Sequence, residues 1–322
     1  MINHQESSTN DANVQKSSTV DASIEVIIPG LFSSVQGLGL TGYRHLGIPL
    51  GGTLDRHALI LGNRILGNPD DTPALELTSG QVELKFTRDA WFVLTGAQYQ
   101  ITIAGRELWH GWRNKIKSGE TLTLRGPKSG MRAYLTVDGG VLSVNEQNFG
   151  LQMTKQLVQG DKLPLGPALQ IAKPIGAVQR GYSNEIRALP GPEMSLFTLQ
   201  SRKAFWSNPW QLTNDSNRMG ARLAGELLSL TKLQELNSHA VMPGVVQVPP
   251  SGQPIVLLAD AQTTGGYPKI ATVIVADLWK LAQTLPGQEI RFIHVSPNQA
   301  DDANYEWQQY FYRLQRAIEA SS

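Results

Sequence analysis

The stretch Met131-Arg132-Ala133-Tyr134-Leu135-Thr136-Val137-Asp138-Gly139-Gly140 decides the fold class. Met131, Ala133, Leu135 and Val137 alternate with other residues, so a strand here buries one apolar face. Gly139-Gly140 ends it as a turn. The same period of two recurs along the chain. Ile24, Val26 and Ile28 alternate into Pro29-Gly30; Val82, Leu84 and Phe86 follow, then Ile101 and Ile103. Gly, Pro and Asn clusters separate the runs. The pattern predicts a mainly β protein of antiparallel barrels or sandwiches, not a doubly wound sheet.

Helices are few. Asp55 is placed to cap a helix over about His57–Leu66, with Ala58, Leu61, Ile65 and Leu66 as its apolar stripe and Gly67 as its stop. A second covers Leu278–Gln283, with Asp277 as cap. A third, Asp301–Ala320, puts Trp307, Tyr310, Phe311, Leu314 and Ile318 on one face, to pack on a barrel or on a partner. Leu189-Pro190-Gly191-Pro192 breaks either periodicity and divides the chain. Domains at 24–190 and 191–298 follow, between a disordered tail, 1–23, and the C-terminal helix, 299–322. A strand Met194–Leu199 opens the second domain.

The chain has 322 residues, a net charge of +1 and no cysteine, which excludes a disulfide framework, a Cys-ligated metal and a thiol nucleophile. So balanced a charge makes no general case for nucleic acid or an anionic membrane. Apolar runs such as Trp91–Leu94, Ile255–Ala259 and Thr272–Ala276 are far shorter than the ~20 residues a spanning helix needs. The expectation is a soluble, cytoplasmic protein with neither nucleic-acid nor membrane partner. Its six histidines form no spaced cluster, so no metal is expected. Gly126-Pro127-Lys128-Ser129-Gly130 lacks the spacing of a phosphate loop and reads as a hairpin turn.

Four polar segments stand out. Gln36 to Tyr43 holds glycines suited to close backbone approach, or forms a tight turn with Tyr43 buried. Gly51-Gly52-Thr53-Leu54-Asp55 leads into the first helix as an anion or amide site, or as a cap alone. Asn63 and Glu76 follow where polar groups are unexpected; Glu76, between Leu75 and Leu77, leaves their face to bond a turn or line a cleft. Arg218 is suited to clamp a carboxylate or phosphate, or to form a surface ion pair. The richest segment is Asp260-Ala261-Gln262-Thr263-Thr264-Gly265-Gly266-Tyr267-Pro268, a polar loop between apolar strands or a well-ordered structural turn. The candidate catalytic set is Asp260, Gln262 and Thr264. The candidate substrate-binding set is Gly52, Thr53, Asp55, Asn63, Glu76, Arg218, Gly265, Gly266 and Tyr267. The Asp260 loop is expected to share a cleft with the Gly51–Asp55 turn or the Arg218 turn.

In order, these segments, with Gly67-Asn68, Thr95-Gly96-Ala97, Arg132 to Leu135 and Gly139-Gly140, resemble one family over about residues 24–298. It is the carboxyltransferase-like family that includes the C component of bacterial 5-oxoprolinase and the second component of allophanate hydrolase. The resemblance implies two cyclophilin-like β-barrel domains with few short helices. It implies subunit-B-like and subunit-A-like partners, and ATP-dependent opening of the lactam 5-oxo-L-proline to L-glutamate by the assembled complex. A second branch implies a biotin-dependent carboxyltransferase acting on urea or another amide. A third reading is a diverged, non-catalytic regulatory or binding subunit, since Gly37, Leu40 and Ala261 stand where the family usually carries charge. The segment Val144 to Asn148 departs from the family pattern as well.

Overall fold

The computed structural model describes residues 22–142, 155–171, 173–232 and 236–321. Residues 1–21 of the expected tail and the Val144–Asn148 segment lie outside these residues, whereas Ser23, placed in the tail, is the first residue of a strand. The alternating runs become the strands of one curled antiparallel sheet. Its strands are β1 (Ser23–Pro29), β2 (Phe32–Gln36), β3 (Ala74–Thr78), β4 (Val82–Phe86), β5 (Ala90–Ile103), β6 (Arg106–Glu107), β7 (Asn114–Ile116), β8 (Thr121–Val137) and β9 (Lys162–Pro164). The order β2-β3-β8-β4-β1-β9 leaves this sheet open, with β5 bound along β8. Ile24, Val26, Leu84, Phe86, Phe92, Ala133, Leu135 and Val137 fill its core.

The second sheet closes on itself in the order β10-β17-β14-β15-β12-β11-β18. These strands are β10 (Glu185–Pro190), β11 (Trp210–Leu212), β12 (Gly220–Ala224), β14 (Val245–Gln247), β15 (Ile255–Leu257), β17 (Lys269–Val273) and β18 (Glu289–His294). A two-stranded ribbon, β13 (His239–Ala240) with β16 (Thr264–Gly265), stands beside it. Because β10 pairs with β17 and β18, the change of sheet falls before Glu185; Pro190 is the last residue of the barrel's first strand, paired with Ala271, and Gly191-Pro192 follow it.

The protein is mainly β, with few helices and a long C-terminal one. Helix α1 (Arg56–Leu66) starts where Asp55 Oδ1 accepts from Ala58 N at 2.9 Å and stops at Gly67, whose φ is +85°. Its glycine, Gly62, presses on β8: a Cβ there would lie 2.6 Å from Thr136 Oγ1. Gly62→Ala therefore trades a gain in helix propensity for a clash. A net loss of about 1–3 kcal/mol is expected in urea unfolding.

Two expected elements differ. Met194–Leu199 is no strand: a 3-10 turn, Met194–Leu196, runs into helix α2 (Leu199–Ser207). Thr198 Oγ1 caps α2 by accepting from Ser201 N, and Ser201, Ala204 and Phe205 are buried at helical spacing. Gly126–Gly130 is no hairpin turn; it is an irregular part of the continuous strand β8, where pairing with β5 shifts register.

Helix α3 (Leu278–Gln283) follows Asp277, but that side chain makes no cap. Buried Asp277 binds Arg187 and Lys280 instead, and this holds its carboxyl below the usual range against the upward push of burial. Helix α4 (Pro297–Ser321) packs on the chain itself. Phe311, Trp307, Tyr310 and Leu314 meet Leu61, Ile65 and Leu66 of α1, while Ala300 and Ala303 meet Ile274 and Ala276. Trp307 stacks on His57 with ring centres 3.6 Å apart and donates to Ala276 O. One helix thus bridges both halves.

Candidate functional site

Three turns meet where the curled sheet faces the barrel. The first is 37–55. Its two limbs touch backbone to backbone: a Cβ on Gly52 would lie 2.4 Å from Gly39 N. Both glycines have positive φ, +77° and +85°, so any side chain here is excluded by conformation and by space. Thr53 N donates to Gly37 O, and Gly51 N reaches across to Ala259 O at 2.9 Å. Tyr43 is not buried in this turn; it is 38% exposed.

The second turn brings Arg218. Its Nε and Nη2 hold Asp260 of the third turn at 2.8 and 3.1 Å. Its Nη1 meets Glu76 Oε1 at 2.5 Å, and its Nη2 also donates to Gly52 O. Burial works against the guanidinium charge, but the carboxylates of Glu76 and Asp260 outweigh it and raise the pKa. The expected alternatives for Arg218, a substrate clamp or a surface pair, both give way to a buried clamp that joins three turns.

Glu76 is 1% exposed and does leave the face of Leu75 and Leu77. Its Oε2 accepts from Leu54 N at 2.9 Å and from the Tyr134 hydroxyl at 2.8 Å, and that hydroxyl accepts from Asp55 N. The register Glu76↔Tyr134 on β3 and β8 places the two side by side. Arg132 Nε stands 4.0 Å from Glu76 Oε1; burial lowers its pKa.

Asp55 is both cap and link. Its Oδ2 accepts from Gln283 Nε2 of α3 at 2.8 Å, while Gln283 Oε1 accepts from Met131 N and Arg132 N. Burial pushes the Asp55 carboxyl up to about 6, opposed in part by the Gln283 and Ala58 N–H groups. A carboxyl raised in the folded state binds its proton more tightly there than when unfolded. Its stabilising effect is full below about pH 4 and is lost as pH rises to about 6. Asp55→Ser keeps a cap and removes the titration. Between pH 4 and 6 the stability of the wild type should fall by roughly 2–3 kcal/mol relative to this variant, read from paired urea curves.

The candidate residues therefore divide. Buried Thr53, Asp55, Glu76 and Arg218, with half-buried Gly52, form a hydrogen-bonded base that holds the Glu76–Arg218 ion pair. Asp260 is at its edge, and Gln262, Thr264 and Tyr267 are exposed above it. Gly265 packs on Gln247, and Gly266 on the backbone of Leu236. The Asp260 loop touches both other turns: Arg218 holds Asp260, and Gly51 N donates to Ala259 O at the loop's start. Asn63 stands apart: its amide donates to Asp70 O and Thr72 O and accepts from Asn68, which fixes the loop after α1. Ala261 lies in an apolar cluster with Val241, Val245 and Leu257, so this position has no room for a charge without a new partner.

Tyr134, Arg132 and Gln283 belong to the network, although their sequence context does not mark them as site residues. The first two sit on the polar phase of the stretch that decided the fold, where alternation marks them as facing away from the core. A narrow cleft of about 30 Å³ beside Asp55, walled by His57, Trp279, Trp307 and Tyr310, holds no more than a water or so. The larger groove, about 480 Å³, follows α2 and contains none of the candidate residues. What the arrangement presents to solvent is an open polar loop on a buried base: a carboxylate, an amide and a hydroxyl.

Residues 46–294 match the family described as carboxyltransferase domain, subdomain A and B. The chain is 44% identical to the C component of 5-oxoprolinase from Escherichia coli over 301 residues, covering 90% of this chain and 97% of that one. It is 39% identical to the C component of 5-oxoprolinase from Haemophilus influenzae, covering 89% and 96%. Among solved structures, the K. lactis urea amidolyase superposes with a TM-score of 0.82 at 24% identity, covering 91% of this chain and 20% of that one; this similarity speaks to the fold. With its curled sheet, closed barrel and shared sequence over most of its length, the chain belongs to the carboxyltransferase domain family.

Proposed function

We propose that this chain is the C component of an ATP-dependent 5-oxoprolinase, which opens 5-oxo-L-proline to L-glutamate together with A-type and B-type subunits in the cytoplasm. The observation that carries the reading is the near end-to-end match to two proteins of that name, 97% and 96% of their lengths. The loop chemistry supports it. Asp260 accepts the lactam N–H, and Gln262 and Thr264 donate to the lactam oxygen, where charge develops as water adds to the carbonyl carbon. When the C–N bond breaks, the nitrogen takes a proton and becomes the amino group of glutamate. ATP supplies the driving force in the assembled complex.

The substrate's own carboxylate needs a cation. Arg218 and Arg132 are committed to internal partners, so we assign that cation to the B-type subunit. The exposed side chains of Leu40, Tyr43, Leu46, Met219 and Tyr267, on the same turns, suit a partner docked across the loop. The single chain is then inactive. The test is glutamate formation from 5-oxoproline and ATP by the purified A–B–C complex and by each omission. Turnover that needs this chain is the expected result. A complex that assembles but forms no glutamate overturns the reading, and carboxylation of urea by this chain with a biotin carboxylase would replace it with the biotin-dependent one.

A further inference from the structure

A second charged cluster lies beneath the same loop and takes no part in the Glu76–Arg218–Asp260 network. Lys269, the first residue of β17, is 4% exposed. Its backbone N–H donates to Glu193 Oε2 at 3.0 Å, and its Nζ stands 3.4 Å from each oxygen of that carboxylate. Nζ also contacts Nε2 of His239, a residue whose side chain is 46% exposed and whose Nε2 stands 3.5 Å from Glu193 Oε1. His239 Nδ1 is 2.9 Å from Asn237 O. A carbonyl only accepts, so Nδ1 carries the ring proton and Nε2 offers its lone pair to the ammonium.

His239 pairs with Gly265 and Ala240 with Thr264, and Val241 N donates to Thr263 O. A ribbon of two residues a side does not hold its own shape in water. Among the described residues, Glu193 is the carboxylate that answers the charge of buried Lys269. The added contact to a half-exposed imidazole does something else: it fastens the ribbon, and through it the loop, to the barrel wall.

We propose that Lys269 is a positioning residue: backed by Glu193, it grips His239 and so sets where Thr264 and Tyr267 stand relative to substrate. This rests on the reading of 260–267 as the substrate loop. Glu193 fixes the ammonium, the ammonium fixes the imidazole, and the imidazole's own strand fixes the loop. Neither Lys269 nor His239 needs to touch the reacting atoms.

The full chain tests this by hydrogen exchange at amides 239–241 and 263–267. His239→Ala should speed exchange there by about tenfold or more and leave β3 and β8 unchanged. His239→Gln puts an amide oxygen near the place of Nε2 and should restore slow exchange. The double variant Lys269→Met/Glu193→Gln removes the grip without stranding a buried charge and should match His239→Ala. In the A–B–C complex, His239→Ala should lower kcat by about tenfold with less change in KM, and His239→Gln should recover it. Wild-type exchange in His239→Ala, or no rescue by glutamine, overturns the proposal. If the wild-type complex makes no glutamate, the functional reading fails while the exchange result still decides the grip.

Discussion

Glu76→Gln should lower the unfolding free energy of the full chain by about 3–5 kcal/mol, the usual cost of breaking a buried ion pair on one side. Both carboxylate oxygens are in use: one faces Arg218, and the other accepts from Leu54 N and the Tyr134 hydroxyl. A glutamine amide has one acceptor. If its oxygen takes the Arg218 side, its NH2 meets two donors; if it turns over, its NH2 meets a guanidinium. Either way Arg218 is left with Asp260 as its charge partner and Arg132 loses its carboxylate. Guanidinium chloride unfolding gives the number. A loss below about 1 kcal/mol would mean that the network adds little to the junction of the two halves.

Asp260→Ala should act chiefly on turnover. Its side chain is 25% exposed, and Arg218 keeps Glu76 and Gly52 O when it is gone. Assembly of the A–B–C complex should persist. Removal of one hydrogen-bonding partner from a site that the docked B-type subunit closes costs ~1–3 kcal/mol, so glutamate formation should slow by about 5- to 150-fold. Size-exclusion chromatography of the complex beside steady-state rates separates the two effects. Wild-type rates from an intact complex would remove Asp260 from the chemistry.

Much of this is legible in the sequence because it is local. A period of two and a Gly-Gly turn specify a strand; Asp55 before an apolar stripe specifies a capped helix; the aromatic face after Pro297 specifies a packed one. The Asp260 loop stands out because polar residues between apolar strands need a reason. Partners are another matter. Whether Arg218 meets substrate or Glu76 depends on how the turn before a barrel strand sits against a residue 142 positions earlier, and no spacing reports that. Lys269, His239 and Glu193 each look ordinary alone and acquire meaning only through register. The strand expected at Met194–Leu199 fails for a simpler reason. Thr198 begins a helix inside a stretch too short for periodicity to separate the two forms.

Helix α4 also sets an order of events during synthesis. The apolar stripe of α1 that receives Phe311 is made 245 residues earlier. At ~5–20 residues per second, Leu61, Ile65 and Leu66 wait roughly 10–50 s for the helix that completes their cover. Val93, Ile171 and Ile175 supply part of the cover earlier, so the curled sheet is born with a half-covered greasy seam, which closes only after the barrel has emerged and the last helix swings back over both. Nascent chains of this protein should be most prone to stick in that interval. Slow translation before residue 297 would lengthen the exposure, and a holdase bound at α1 would be released by α4 itself.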